Sequence, residues 1–340
     1  MQKKVLVLGA TGAMGKYLVP ILAEKGFQID AVALDDADFQ SPNIRNIKGN
    51  AIDFEFRKDL LKNHYDGIVD FMIYTTMYLP LCLPSIVEAT EHYIYLSTYR
   101  IYDGIEVPIR EISPRLIDSS KDVLLQNSDD YSIYKARGEN MLRAFPKKNW
   151  TIIRPAITYS LLRNQLVTLE APNTIGRAML GKPVVLPETA KNVQATMSWA
   201  GDVAQMIAGI LFNENALGEA YTVSTSEHHT WGEIAEYYED ICGLKSVWVD
   251  QTDFLRCAVT GFDDFPYTGS WQLIYDRLFD RIIDNSKILA LTGMKQENLM
   301  KLYDGLKYEI SRCPENYGET VANLSSNIRM DEYLKNRGLF

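Results

Sequence analysis

The stretch Val5-Leu6-Val7-Leu8-Gly9-Ala10-Thr11-Gly12-Ala13-Met14-Gly15 decides the fold. Its four leading apolar residues read as a short strand buried on both faces. Gly9, Gly12 and Gly15 follow at once, and then Tyr17, Leu18, Ile21 and Leu22 recur with helical spacing. A glycine-rich turn between a buried strand and a helix lets backbone amides approach a pyrophosphate, and the helix N-terminus adds partial positive charge. Thr11, Ala13 and Met14 fill the turn and are expected to touch the same ligand. The spacing is Gly-x-x-Gly-x-x-Gly, which departs from the common Gly-x-Gly-x-x-Gly dinucleotide fingerprint.

Working outward, Gly26 ends the helix, and Ile29 to Leu34 reads as a second strand with Asp35 and Asp36 at its end. An acid about 20 residues beyond the last glycine is placed to accept hydrogen bonds from an adenosine ribose. A carboxylate at Asp35 would repel a 2′-phosphate, so NAD is favoured over NADP, although Lys16 beside the turn could help a phosphate. Gly49 to Asp53, with Asn50 and Ala51, ends a third strand segment, and Ile68 to Ile73 reads as a fourth. Leu83 to Thr90 is predicted helical, and Tyr93 to Leu96 is another buried strand, closed by Ser97-Thr98. Such strand ends line the ligand crevice of a doubly wound sheet. The predicted class is α/β: a Rossmann-like doubly wound parallel sheet with a smaller C-terminal α/β substrate lobe. The NAD-binding domain is expected over 1–160, with a contribution from about 197–225, and the substrate lobe and C-terminal helices over 161–340.

Tyr131-Ser132-Ile133-Tyr134-Lys135 is the second informative stretch. Four residues apart on a helix, Tyr131 and Lys135 share one face. Free tyrosine titrates near ~10 and is a poor base at neutral pH, but a nearby ammonium favours the phenolate. Such a pair can move protons to and from a substrate hydroxyl.

Composition limits the partners. The chain has 340 residues and a net charge of −9, which argues against nucleic acid and anionic membrane surfaces. Cys82, Cys242, Cys257 and Cys313 show no metal-like spacing and suggest a reducing, cytoplasmic setting. The His228-His229 pair lacks an acid or cysteine constellation, so no metal is expected. The apolar run Ile68 to Val87 holds Asp70, Pro80 and Pro84 and is not a spanning helix.

Taken in order, Gly9-x-x-Gly12-x-x-Gly15, Ser97-Thr98 before Ile101-Tyr102, and Tyr131-x-x-x-Lys135 resemble the extended short-chain dehydrogenase/reductases. More narrowly they resemble the NAD-dependent epimerase/dehydratase branch acting on nucleotide-activated sugars. Arg154-Pro155 to Tyr159, Asn173 to Pro183, Trp199 to Ala204 and Asp284 to Lys287 are similar to later segments of that family. The resemblance implies Tyr131 as acid/base, Lys135 as the ligand of the nicotinamide ribose, and Thr98 as the hydroxyl that orients the substrate. It implies Gly9, Gly12 and Gly15 at the pyrophosphate, Asp35 at the ribose, and Asn50 and Ala51 near adenine. Ser97, Tyr99, Arg163 and Arg177 are candidate substrate contacts. The partner implied is a small, nucleotide-linked sugar, and a homodimer follows by analogy alone.

Departures from the family narrow the chemistry. Its 4,6-dehydratases carry Asp-Glu after the catalytic threonine, whereas Tyr99 and Arg100 stand here, which disfavours dehydration. Ala195 and Thr196 occupy the place of an Arg-Asp pair that helps hold the nucleotide. In the second half, Ala200 to Phe212 and Trp231 to Cys242 are predicted helices and Ala220 to Val223 a strand. Ser270 to Leu278 alternates aromatic and polar residues, some of which could face a pocket, with Trp231 and Tyr275 assigned to the core. Two rival functions stand beside a sugar epimerase/oxidoreductase: a reductase or dehydrogenase of a non-nucleotide alcohol or ketone, and a non-catalytic dinucleotide-binding sensor or scaffold.

Overall fold

The structure is a computed structural model and describes residues 2–264 and 270–339. Its centre is a seven-stranded parallel sheet, β1 Lys4–Leu8, β2 Gln28–Ala33, β3 Ile44–Lys48, β4 Tyr65–Asp70, β5 Thr90–Leu96, β6 Trp150–Ile153 and β7 Ala220–Tyr221. The spatial order is β7-β6-β5-β4-β1-β2-β3. The order reverses between β1 and β4, and a crevice opens beyond the carboxyl ends of strands at such a switch point. Val5 to Leu8 are fully buried, as a strand covered on both faces must be. Helices α1 Gly15–Glu24, α2 Phe54–Leu61, α3 Leu79–Glu88, α4 Tyr131–Ala144 and α5 Ala200–Ile210 connect the strands. α5 packs on α1 over a shared apolar core.

Strand β4 begins and ends three residues earlier than the apolar run from Ile68 suggests. Asp70 closes it because its carboxylate caps the turn, accepting from the Met72 amide at 2.9 Å. Phe71, Met72 and Ile73 therefore line the crevice instead of extending the ladder.

Helix α4 is seated by three devices. Asp130 caps its N-terminus, accepting from the Ser132 amide at 2.9 Å and the Ser132 hydroxyl at 2.7 Å. Gly138 lets it lie against β5, since a Cβ there would come within 2.1 Å of the Tyr95 hydroxyl oxygen. Glu139 is fully buried and takes a bidentate pair from Arg154 at 2.8 and 2.6 Å. These contacts fix Tyr131 and Lys135 relative to the ends of β5 and β6.

The remaining chain forms a lobe on the carboxyl side of the sheet. Val184–Pro187 pairs in parallel with Ser246–Val249. Helix α6 Trp231–Cys242 starts at a capping box of Thr230 and Glu233 and stops at Gly243 in the left-handed region. Trp231 is a core residue, while Tyr275 is half-buried and donates to Asp122 at 2.7 Å. Two further helices, α7 Leu302–Ile310 and α8 Ser325–Asn336, close the lobe. Glu309 of α7 accepts from Trp199 Nε1 at 2.7 Å and from the Tyr17 hydroxyl, tying the lobe to α1. The polar C-terminal region thus packs on its own chain, with Met330 and Leu334 fully buried. Among the described residues, no helix is long and apolar enough to cross a membrane.

Candidate active site

A cleft of about 490 Å³ runs along the switch point. At one end it is lined by Gly9, Thr11, Gly12, Ala13, Met14 and Gly15. The turn is tight: Gly9 has φ +80°, and a Cβ on Gly15 would lie 2.5 Å from the Ala10 carbonyl oxygen. Asp35 lies at the end of β2, where it accepts from Thr11 Oγ1 at 3.0 Å, and Ala51 and Gly49 line the cleft beside it. A Gly15→Ala substitution is expected to move the turn and reduce dinucleotide affinity at least about tenfold, since backbone must shift to admit the methyl group. Calorimetric titration with NAD checks this, and unchanged affinity would remove Gly15 from the cradle.

At the other end stand Thr98 and Tyr131. Thr98 ends the extended run after β5 and caps a short turn, its Oγ1 accepting from the Arg100 amide at 3.2 Å. That leaves its own proton available to donate. Burial raises the Tyr131 phenol, and the Arg100 charge, the Thr98 hydroxyl and the Arg163 charge offset this only in part, so it stays above its ordinary value. The Arg100 guanidinium lies 5.4 Å from the Tyr131 ring centre, and Lys135 Nζ lies 5.7 Å from it.

Lys135 sits beneath the cleft floor. It is fully buried, and its Nζ donates to the Leu96 carbonyl at 2.6 Å and the Met72 carbonyl at 3.2 Å. Burial pulls its pKa down to about 8, opposed by the charge of buried Asp70. Asp70 also accepts from the hydroxyls of Tyr93 at 2.8 Å and Tyr74 at 3.1 Å.

Besides Lys135, three candidates lie outside the cleft lining. Arg177 is fully buried and donates to the Pro183 carbonyl at 2.7 Å, the Asn327 carbonyl at 3.1 Å and Asp331 at 2.8 Å. It staples α8 to the lobe and cannot reach a substrate. Ser97 is fully buried and donates to Glu139 at 2.6 Å, on the side of the strand opposite Thr98. Asn50 turns back to accept from the Ile52 amide at 3.0 Å. Tyr99 and Arg163 do line the cleft.

The substrate end also contains Arg100, Gln165, Gln272 and Arg277. Arg100 entered the sequence reading only as a missing carboxylate. Gln272 and Arg277 belong to the polar positions of Ser270 to Leu278, a stretch that forms a π-helical turn over Leu273–Arg277. Its i to i+5 spacing brings those two side chains to one side.

A switch-point cleft joining a glycine turn, an acid at the end of the second strand and a Thr/Tyr pair is the arrangement of a dinucleotide-binding α/β fold. The chain has the fold of the NAD-dependent epimerases and dehydratases of the short-chain dehydrogenase/reductase type. It is similar to the epimerase Mth375 of Methanothermobacter thermautotrophicus, with TM-score 0.72 and 16% identity over 95% of each chain. The UDP-glucose 4-epimerase of Thermus thermophilus, solved with NAD, matches with TM-score 0.67 and 16% identity over 91% of this chain and 98% of its own. In sequence, a chloroplast stem-loop binding protein of Arabidopsis thaliana is 24% identical over 251 residues, 69% of this chain. The chain spans 62% of that relative's length. No protein-family model matches.

Proposed function

We propose that the chain is an NAD-dependent epimerase or oxidoreductase acting on a sugar carried on a nucleotide. The observation that carries this reading is a single cleft reaching from the glycine turn and Asp35 to Thr98 and Tyr131. The turn suits a dinucleotide: it is too tight for a Cβ on Gly15, which would collide with the Gly9 and Ala10 carbonyls, and Asp35 stands at the end of the second strand, the place that holds a ribose in such folds. Bound NAD supplies the acceptor, and on return the donor, of a hydride.

The chain supplies position and proton traffic. Tyr131 as phenolate removes the proton of the substrate hydroxyl and returns it after the carbon is reduced again. Thr98 donates its hydroxyl hydrogen to the same oxygen and orients it. Lys135 holds a positive charge under the floor at pH below about 8. Return of hydride to the opposite face gives an epimer; release of the reduced cofactor gives net oxidation. Dehydration is disfavoured because Arg100 is no acid and the Tyr99 hydroxyl is occupied with Asp276 at 3.2 Å.

The test is incubation with a panel of nucleotide sugars, followed by proton NMR for new epimers and by absorbance for NADH. An epimer without NADH accumulation is expected. NADH accumulating with product would indicate a dehydrogenase, and a flat response across nucleotide sugars, free sugars and ketones would favour a non-catalytic dinucleotide-binding protein. The stem-loop binding relative raises a nucleic-acid reading, which the net charge of −9 opposes. A cytoplasmic setting, a homodimer and a role in surface polysaccharide precursor synthesis belong to this proposal by analogy.

Asp35→Ala is expected to weaken NAD about tenfold and NADP less, because the ribose hydroxyls lose an acceptor while the 2′-phosphate loses a repulsive charge. Equal weakening of both cofactors, or none, would remove Asp35 from the ribose site.

A further inference from the structure

The substrate end of the cleft is cationic to a degree that a neutral sugar does not require. Among the described residues that line the cleft, the one acid is Asp35, beside the glycine turn. Arg100, Arg163 and Arg277 also line the cleft, and Arg163 lies within electrostatic reach of both Tyr131 and Lys16. Arg277 is fully engaged, its three nitrogens donating to the Val167 carbonyl at 2.7 Å, the Tyr99 hydroxyl at 2.9 Å and Gln165 at 2.7 Å. Arg100 is different. Its side chain is only 13% exposed, yet it donates no hydrogen bond to any described residue. Its nearest acids, Asp130 at 3.5 Å and Asp276 at 3.6 Å, lie beyond hydrogen-bonding reach.

Both acids are committed elsewhere. Asp276 takes Arg277 and Arg281, and Asp130 caps α4. The Arg163 side chain is exposed and makes no hydrogen bond or ion pair with a described residue, so it adds a positive charge that neither Asp130 nor Asp276 pairs. A guanidinium offers five donors in a planar fork that matches a carboxylate; Arg100 is ion-paired with Asp130 and Asp276, but no carboxylate is seated in its fork.

We infer that Arg100, with Arg163, forms a carboxylate subsite beside Tyr131, so that the substrate carries an acid group next to the carbon being oxidised. The inference rests on the cleft being the active site and names the substrate class within it: a uronate or a hydroxy acid. The position of Arg100 favours a carboxylate over a nucleotide diphosphate. Its guanidinium lies 5.4 Å from the ring of Tyr131, where the reacting hydroxyl binds, whereas a diphosphate hangs from the far side of the sugar.

The experiment titrates the full chain, with and without NAD, against matched acid and neutral probes by calorimetry. The pairs are UDP-glucuronate and UDP-glucose, D-glucuronate and D-glucose, and malonate and malonamide. The acid member of at least one pair should bind about tenfold or more tightly than its neutral partner. Arg100→Met should abolish that preference and Arg100→Lys should keep part of it, each with NAD affinity unchanged, which also reports correct folding. No acid preference in any pair overturns the inference. So does a preference that survives Arg100→Met, or one lost in Arg163→Met together with equal weakening of UDP-glucose, which would make the anion a diphosphate. Loss of NAD binding in the parent chain counts against the active-site reading instead, and the acid preference is still read from the titrations without NAD.

Discussion

Tyr131→Phe leaves a protein that binds NAD as the parent does and turns substrate over about 10²- to 10⁴-fold more slowly, the range one positioned acid–base group contributes. The substitution removes a single oxygen. The ring keeps its edge contact with Tyr134, centre to centre 5.5 Å, and its place beside Arg100. Thr98 still presents a hydroxyl, but it is a donor with no means of taking the proton at neutral pH. The glycine turn and Asp35 lie at the opposite end of the cleft, so cofactor affinity should be untouched. Steady-state turnover together with NAD titration of the same preparation checks both halves. Parent-like turnover would take Tyr131 out of the mechanism.

Glu139→Gln is expected to destabilise the fold by about 3–5 kcal/mol, the cost typical of removing one partner from a buried ion pair. Glu139 and Arg154 are both essentially inaccessible, and the carboxylate also receives Ser97 at 2.6 Å and Arg115 at 3.4 Å. The amide keeps the shape but leaves the Arg154 charge uncompensated. Burial pushes the Glu139 carboxyl up, but the Arg154 charge and hydrogen bonds, with Ser97 and Arg115, hold it below its ordinary value overall. A folded-state pKa below the unfolded one gives stability that is present above the unfolded value of about 4.3 and is lost as pH falls through the folded value. The variant should therefore show a smaller loss of stability on acidification than the parent. Urea denaturation at neutral and acid pH measures both effects. A shift under about 1 kcal/mol at neutral pH would mean that the pair does not hold α4 in place.

How much of this was legible in the sequence depends on the range of the interaction involved. The strand–turn–helix from Lys4 to Glu24 is local: hydrophobic runs, glycine spacing and helical periodicity all lie within a few residues. The bounds of α6 were equally legible, because Thr230, Glu233 and Gly243 are local start and stop signals. Thr98 and Tyr131 could be paired only through a family resemblance, since 33 residues and a strand-to-helix crossing separate them.

What escaped was burial decided at long range. Arg177 looked like a free cation near the substrate lobe, but its partners Asn327 and Asp331 are about 150 positions away. From sequence, Thr98 is read as the orienting hydroxyl and Ser97 as a further substrate contact beside it. In extended chain, neighbours face opposite sides, and the Glu139–Arg154 pair claims the side of Ser97. Arg100 was noticed for the acid it is not. Its own part in the cleft follows from Thr98 ending the strand and from a turn that carries the next residues over Tyr131.

The most direct test of the central claim is the small-molecule content of the purified protein. The chain is denatured, and the released nucleotides are separated by chromatography and identified by absorbance. Retained NAD or NADH at near-equal stoichiometry is the predicted result, as expected of an enzyme that returns its own hydride. Protein that releases neither, and that shows no heat of binding when NAD is added back, would contradict the reading of the Gly9–Gly15 cradle and of the function built on it.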